Sequence, residues 1–384
     1  MSFLGDGEVH WERVYDRYQY LPFSVWWDQL LLILSLNPPQ GINDDPYIHT
    51  LSYVIGTVFN APQLFWIGVA MVYGYFFSGT IVKLLSYVNW RSKYNKFFFL
   101  FFMVLFFLWK TPHSMQTVRT WTGMWVLLYA VLSYHETKNW KYLALALTPP
   151  LIHIGYVILA FPVWVVLFTG FRNIKIYFIV FVVSMFFSNF VGQTGFNETI
   201  AQSSEVGASK TNAYYVDDER AVRLAEKRKL LRGGMNFYKK FESEGRQNQV
   251  MKGLIIFIFI ALSSRFDYLE KTLYSYVLAV AANANFFTSI YAAHNRSWEI
   301  ACVITLILMV IYLSKDNIKN IKYSVYKVKL PLYVFCVAIF PYILYLISDL
   351  LNYTSPYVVF LPGLHWLDPD GVGMSIRQFI GLFL

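Results

Sequence analysis

The stretch Pro62–Leu85, PQLFWIGVAMVYGYFFSGTIVKLL, decides the class of this chain. Its single charge, Lys83, lies near the end. At about 1.5 Å per residue, a helix of this length covers the roughly 30 Å hydrocarbon core of a bilayer. Further apolar runs follow at Phe97–Trp109, Trp121–Tyr134, Ile174–Val191, Leu254–Ser264, Leu273–Ile290, Trp298–Leu313 and Leu332–Leu350, with a weaker one at Ser375–Leu384. Tyr142–Gly170 is interrupted by Pro149-Pro150 and reads as two short helices in a hairpin or as one kinked span. Trp26–Leu36 is apolar but too short to span, and Asn37-Pro38-Pro39 ends it, so it reads as an interfacial or re-entrant helix. The expectation is an all-α polytopic membrane protein with about nine or ten membrane helices or half-helices and one long external loop.

Composition points the same way. Of 384 residues, 57% are hydrophobic and only 14% charged, too apolar for a soluble domain of this size. Aromatic residues, at 20%, suit interfacial belts and would also line a sugar-binding cavity. Much of the net charge of +9 sits in short loops between apolar runs, so it does not imply nucleic acid. Cys302 and Cys336 both lie inside apolar runs and give neither a disulfide framework nor a metal spacing. No Gly-rich phosphate loop, zinc spacing or nucleophile elbow occurs, so no cofactor, no metal and no ATP-driven chemistry is expected. The start, Met1 to Tyr20, is polar and acidic and does not read as a cleavable signal.

Four regions follow: an external N-terminal segment, 1–61, with the interfacial helix; membrane helices over 62–191; a long external loop, 192–250; and C-terminal membrane helices over 251–384. Within the loop, Asp217–Leu231 has helical spacing, with Arg223, Lys227, Arg228 and Arg232 off the apolar face. It reads either as a solvated amphipathic helix or as a lid on headgroups or an anionic substrate. Alternate short loops hold Lys83, Arg91, Lys93 and Lys96, then Lys138 and Lys141, then Arg172 and Lys175, then Arg265 and Lys271, then Lys315, Lys319, Lys322, Lys327 and Lys329. The positive-inside rule turns these toward the cytoplasm, provided that Tyr142–Gly170 is a hairpin. The opposite short loops carry little beyond Lys110, Arg119 and Arg296. A first span running inward from outside predicts a missing N-terminal helix, or insertion helped by Trp26–Leu36.

Three polar residues then share the outer face. Arg119 opens one apolar segment, His153 follows the Pro-Pro break, and Arg296 opens another segment. Ionisable residues at membrane depth mark functional sites by default. Two arginines and a histidine on one aqueous face suit an anionic substrate, most simply a phosphate or pyrophosphate. Each also has an ordinary explanation: Arg119 snorkels, His153 bonds a carbonyl freed by the prolines, and Arg296 pairs with Glu299. The external segment supplies acids, Asp6, Glu8, Glu12, Asp16, Asp44 and Asp45. Asp6 and Asp16 are candidate carboxylates for orienting or deprotonating a sugar hydroxyl, with Tyr15 and Tyr18 as sugar platforms. The alternative is a solvated acidic segment.

At these residues the chain resembles the EpsG family, within the Wzy-like polysaccharide polymerases. The matching pieces are Gly5-Asp6 with Tyr15-Asp16-Arg17-Tyr18, Asp45-Pro46-Tyr47 with Leu51-Ser52-Tyr53, Asn60-Ala61-Pro62, Arg119 in Val118-Arg119-Thr120-Trp121, His153 after small apolar residues, and Asn295-Arg296. The resemblance covers most of residues 1–175 and becomes diffuse beyond. The chain departs from the family in the apparent absence of a first membrane helix and in its long insertion. The resemblance implies a multi-pass enzyme of the bacterial inner membrane, with a GT-C-like glycosyltransferase fold, that acts in exopolysaccharide, capsule or O-antigen assembly. It implies an undecaprenyl-pyrophosphate-linked glycan as donor, membrane lipid around the site and a chain-length regulator as partner. Arg119 and Arg296 would then bind the pyrophosphate and neutralise charge developing on it. His153 would orient the pyrophosphate or, like an N-terminal carboxylate, act as base.

Two other classes compete. A lipid-linked oligosaccharide flippase or other transporter usually has internal repeats and charges midway through its spans. These spans are nearly clean, with the key charges at their outer ends. A membrane O-acyltransferase of surface glycans would take its acyl group from the cytoplasm, so its site would open inward or run through the membrane.

Overall fold

The computed structural model of the chain describes residues 6–39, 42, 44–90, 96–170, 173–187, 202, 235–315, 328–353 and 375–381. Among the described residues the fold is helical, without strands. In chain order the helices are α1 (Asp6–Arg17), α2 (Phe23–Leu34), α3 (Pro46–Tyr53), α4 (Phe65–Ser86), α5 (Lys96–Trp109), α6 (Thr120–Thr137), α7 (Trp140–Ala146), α8 (Pro149–Ile152) and α9 (Tyr156–Thr169). They continue as α10 (Ile174–Phe186), α11 (Phe237–Ser243), α12 (Arg246–Phe257), α13 (Tyr268–Phe286), α14 (Tyr291–Leu313), α15 (Leu330–Tyr353) and α16 (Ile376–Gly381).

Among the described residues, four helical stretches are long and apolar enough to cross a membrane: Pro62–Ser86, Arg246–Arg265, Tyr291–Leu313 and Leu330–Asn352. Shorter apolar helices stand beside them, α2, α5, α9 and α10 among them. Large apolar side chains point outward, including Met71 and Tyr75 of α4, Phe161 of α9, Ile179 of α10 and Val337 of α15. A soluble monomer rarely exposes apolar surface on this scale, whereas lipid covers it at no cost. The second span starts at Arg246, inside the stretch assigned to the long loop from sequence. Gly245, at φ +66°, ends one helical run and opens the next, and polar Arg246, Gln247 and Asn248 fill its first turn. The proposed lid helix, Asp217–Leu231, lies outside the described residues.

The interior is built on α13 and α14, which pack along their length, with α9, α10 and α5 against them. α14 is buried throughout from Ile300 to Leu313, and the Thr305 hydroxyl in its middle donates to its own Ala301 carbonyl at 2.7 Å. Pro162 lies inside α9. It has no N–H for the Ile158 carbonyl one turn earlier. The Asn283 side chain of α13 donates to that carbonyl at 3.4 Å and to Ser297 Oγ of α14 at 3.1 Å. One amide thus ties three helices together where a proline freed an acceptor, as membrane interiors require.

Tyr142–Gly170 folds as a hairpin. Trp164 Nε1 of α9 donates to the Ala146 carbonyl of α7 at 2.7 Å, although a straight helix would separate these residues by about 27 Å. Pro149 opens α8 at a position where no N–H is needed, and the turn falls instead at His153, whose backbone is extended. α6 approaches the start of α9 closely. A Cβ on Gly123 would lie 2.5 Å from the Tyr156 ring, and the Tyr156 hydroxyl donates to the Thr120 carbonyl. This contact brings the first turns of α6 and α9 together.

The bundle has two chemically distinct ends. At one, Lys83 pairs with Glu136, Lys315 with Asp267 and Glu270, and Lys138 lies 5.1 Å from the Tyr268 ring. These lysines come from the loops that the charge pattern grouped together. The first turns of α4, α6, α9 and α14 lie at the other end. There the N-terminal segment forms a small second core, in which Val14, Ile48 and Ile55 pack with Phe65, Val69 and Val118. α2 is tied down by Trp26, which stacks on Tyr53 with ring centroids 4.8 Å apart, while Phe23, Trp27, Leu31 and Leu34 remain exposed.

Candidate functional site

Asp45 is the centre of the polar cluster at this second end. It precedes Pro46, which favours extended backbone, and it caps α3 at φ −120° and ψ 130° without a side-chain bond to its own helix. Its carboxylate points elsewhere. Oδ2 accepts from Arg119 Nη1 at 2.6 Å and from His153 Nδ1 at 3.2 Å, and Oδ1 accepts from the Ile154 backbone N–H at 2.8 Å. The residue is fully buried.

Arg119 reaches it from the start of α6. The preceding residue, Val118, is at φ +47° and ψ −51°, and the Arg119 N–H donates back to the Thr117 carbonyl. This is the rare γ-turn conformation, strained for a β-branched residue. Burial of the Val118 side chain in the second core, with Val14 and Ile48, holds the turn. Arg119 Nη1 also bonds Asp44 Oδ1 at 2.9 Å.

His153 lies between α8 and α9 and is 2% exposed. Its Nε2 is 2.8 Å from Arg296 Nη1. A guanidinium can only donate, so Nε2 must present its lone pair and Nδ1 must carry the proton it gives to Asp45. His153 is therefore the neutral Nδ1–H tautomer. Its pKa is lowered, first by burial and then by the charges of Arg296 and Arg119, against the opposing pull of Asp45. For Asp45, burial works against ionisation, but the hydrogen bond from His153, the Arg119 charge and the Ile154 N–H outweigh it. The carboxyl stays well below the usual carboxylate range. Gly155 crowds the same nitrogen: a Cβ there would lie 3.2 Å from His153 Nε2.

The structure thus brings Arg119, His153 and Arg296 together, from the starts of three different helices. Their bonds differ from the ordinary explanations. His153 bonds a carboxylate and an arginine rather than a freed carbonyl. Arg296 reaches His153, while Glu299 Oε2 accepts from Trp109 Nε1 at 2.8 Å and pairs with Lys110 at 3.1 Å. Asp6 is the first residue of α1, and Asp16 is exposed on the same helix. Tyr15 is exposed, edge-on to Trp11, and Tyr18 is buried with its hydroxyl 2.7 Å from His49 Nδ1. The carboxylates that meet the cationic residues are those of Asp44 and Asp45. A signal for them existed: an Asp before a helix-opening proline, in a chain whose two arginines and one histidine needed a buried counter-charge.

Chemically, the cluster is a buried carboxylate that fixes a neutral imidazole, flanked by two guanidiniums. Arg119 is held by two carboxylates and organises the site. Arg296 is partly exposed whereas Arg119 is buried, so of the two it is better placed to receive an outside anion. Among the described residues, no group of three or more His, Cys, Asp or Glu side chains is arranged to hold a metal ion. In comparisons with family models, curated proteins and solved structures, none matches this chain.

Proposed function

We propose that this protein is a glycosyltransferase of the bacterial cytoplasmic membrane that polymerises or transfers undecaprenyl-pyrophosphate-linked glycan units at the outer leaflet. The observation that carries this reading is the meeting of Arg119 and His153 on Asp45, with Arg296 on His153, at the bundle end opposite the lysine-rich loops. Positive loops favour the cytoplasm, and this supports an outer-face position for the cluster, where lipid-linked glycans are assembled. A lipid pyrophosphate is already an activated leaving group, so the protein must orient two substrates and stabilise developing negative charge. Arg296 supplies that charge stabilisation, Arg119 and Asp44 lock Asp45 in place, and His153 lies beside the reacting groups. The fold would then be of the GT-C type, with an exopolysaccharide, capsule or O-antigen as product.

The placement of charge favours surface chemistry over transport. The cluster lies at helix starts, not midway along the spans, where transporters hold their substrates. The test is the glycan profile of a strain lacking this gene, complemented with Arg296→Ala, His153→Ala or Asp45→Asn at matched membrane levels. Loss of the long-chain glycan ladder in all three supports the reading. Normal ladders from all three would remove it.

A further inference from the structure

We propose that a cleft at the lysine-rich end of the bundle binds one anionic phospholipid, with its phosphate on Lys96 and an acyl chain laid along α5. This site is independent of the chemistry at the opposite end.

The cleft encloses about 200 Å³ where three elements meet: the turn after α4, the first turns of α5 and the end of α14. At roughly 30 Å³ per water, that is the space of about seven waters, room for a phosphate and part of its glycerol. Its floor is fixed. Ser314, buried at the end of α14, accepts from the Asn89 backbone N–H at 3.2 Å and donates to the Ile311 carbonyl at 2.7 Å. Phe99 and Leu100 supply apolar walls. Trp90 lines the exposed side, its ring edge-on to Phe99 with centroids 6.0 Å apart. A tryptophan so placed suits the headgroup level of a bilayer.

Charge then selects the ligand. Among the described residues that line the cleft, Lys96 alone is charged, and it is exposed. No carboxylate among the described residues pairs with it, whereas at the same end Lys83 holds Glu136, and Lys315 holds Asp267 and Glu270. The sequence 90–96, WRSKYNK, carries three cations and no acid, so nothing in the local sequence offsets the charge. A lysine that only snorkels to the interface needs no cavity beside it. One that borders a cleft with a polar floor and apolar walls is matched to an anionic headgroup.

The apolar half of the ligand is met by α5. Leu100, Val104 and Phe107 follow Lys96 at helical spacing and are all exposed, so one apolar stripe runs from the cleft along the helix. From Lys96 to Phe107 it extends about 16 Å. A detached phosphate ion would use the cleft and leave the stripe bare, whereas a phospholipid uses both. The positive-inside rule turns this end toward the cytoplasm, and basic pockets between helices on that side attract anionic headgroups. A lipid seated here ties the ends of α4, α5 and α14 together.

Native mass spectrometry of the full-length protein, titrated with phosphatidylglycerol or with phosphatidylcholine in one fixed detergent, tests this by counting retained lipids. The expected result is one phosphatidylglycerol held in preference to phosphatidylcholine. Its affinity should fall about fivefold or more in Lys96→Gln and stay unchanged in Lys141→Gln, an exposed lysine in the first turn of α7. Leu100→Trp, which fills the cleft and keeps the charge, should also release the lipid. Equal retention of phosphatidylcholine, equal losses in the two lysine variants, or undiminished binding by Leu100→Trp would each overturn the site. Displacement of the lipid by an equal concentration of inorganic phosphate would make a free phosphate the ligand and overturn the lipid assignment.

Discussion

Asp45 caps α3 yet gives its carboxylate to Arg119, 74 positions along the chain, at 2.6 Å. The N-terminal segment is thereby fastened to the membrane helices by a buried ion pair, which also aims His153. Stability and chemistry meet at one carboxylate.

Breaking that pair from either side leaves a buried charge without its partner. Asp45→Ala or Arg119→Ala should each cost about 3–5 kcal/mol. The double variant should cost clearly less than the two singles added together. Thermal unfolding of the purified protein in one fixed detergent measures all three. Additive losses would mean that the pair is not coupled.

The cluster should also weaken in acid. His153 has a folded-state pKa below its ordinary 6.5, so the unfolded chain takes up that proton first as the pH falls. Its contribution is present above about pH 6.5 and is lost below it. Asp45, also lowered, keeps its contribution until the pH falls into the ordinary carboxylate range and loses it progressively from there downward. Unfolding midpoints should therefore fall from pH 7 to pH 5, and His153→Gln should flatten the slope. An unchanged slope in that variant would show that His153 is not the group responsible.

Close helix approach at Gly123 should be intolerant of any side chain. A Cβ there meets the buried Tyr156 ring at 2.5 Å, whereas one at Gly74 meets nothing within 4 Å. Gly123→Val should cost roughly 1–3 kcal/mol or more and prevent accumulation in the membrane, while Gly74→Ala should be neutral. Fluorescence of a C-terminal fluorescent-protein fusion, compared between the two variants, checks this.

Asn283→Ala should cost about 1 kcal/mol, because it strands the Ile158 carbonyl freed by Pro162. Pro162→Ala restores a backbone N–H in the same helix. Combined with Asn283→Ala, it should recover part of the loss in the same unfolding assay. No recovery would show that the amide matters for its bond to Ser297 instead.

Much of the helical plan was legible because a long apolar run has few alternatives in a bilayer. Pro62–Leu85 and Trp298–Leu313 fall within helices, and the loops with Lys83, Lys138 and Lys315 share one end of the bundle. Helix starts were harder to read. The first turns of the span at Arg246 are polar, and hydropathy does not see them. Arg119, His153 and Arg296 could be singled out because cationic residues are rare at such positions. Asp45 had only the weak mark of the proline after it, because it sits among several acids in a polar segment, and the fold of α1 to α3 decides which of them is buried. Asp6 and Asp16 looked equally suitable in sequence, but Asp16 ends on the outer face of an amphipathic helix. The tautomer of His153 was beyond reach, since it depends on contacts 108 and 143 residues away.

The most direct test of the central claim is transfer by the purified protein in nanodiscs, supplied with the lipid-linked glycan that accumulates in cells lacking this gene. The account expects longer glycan chains together with one released lipid pyrophosphate per bond formed, and rates about 100-fold lower or less for His153→Ala and Asp45→Asn. No transfer by the folded, unaltered protein, or equal rates from the two variants, would contradict it.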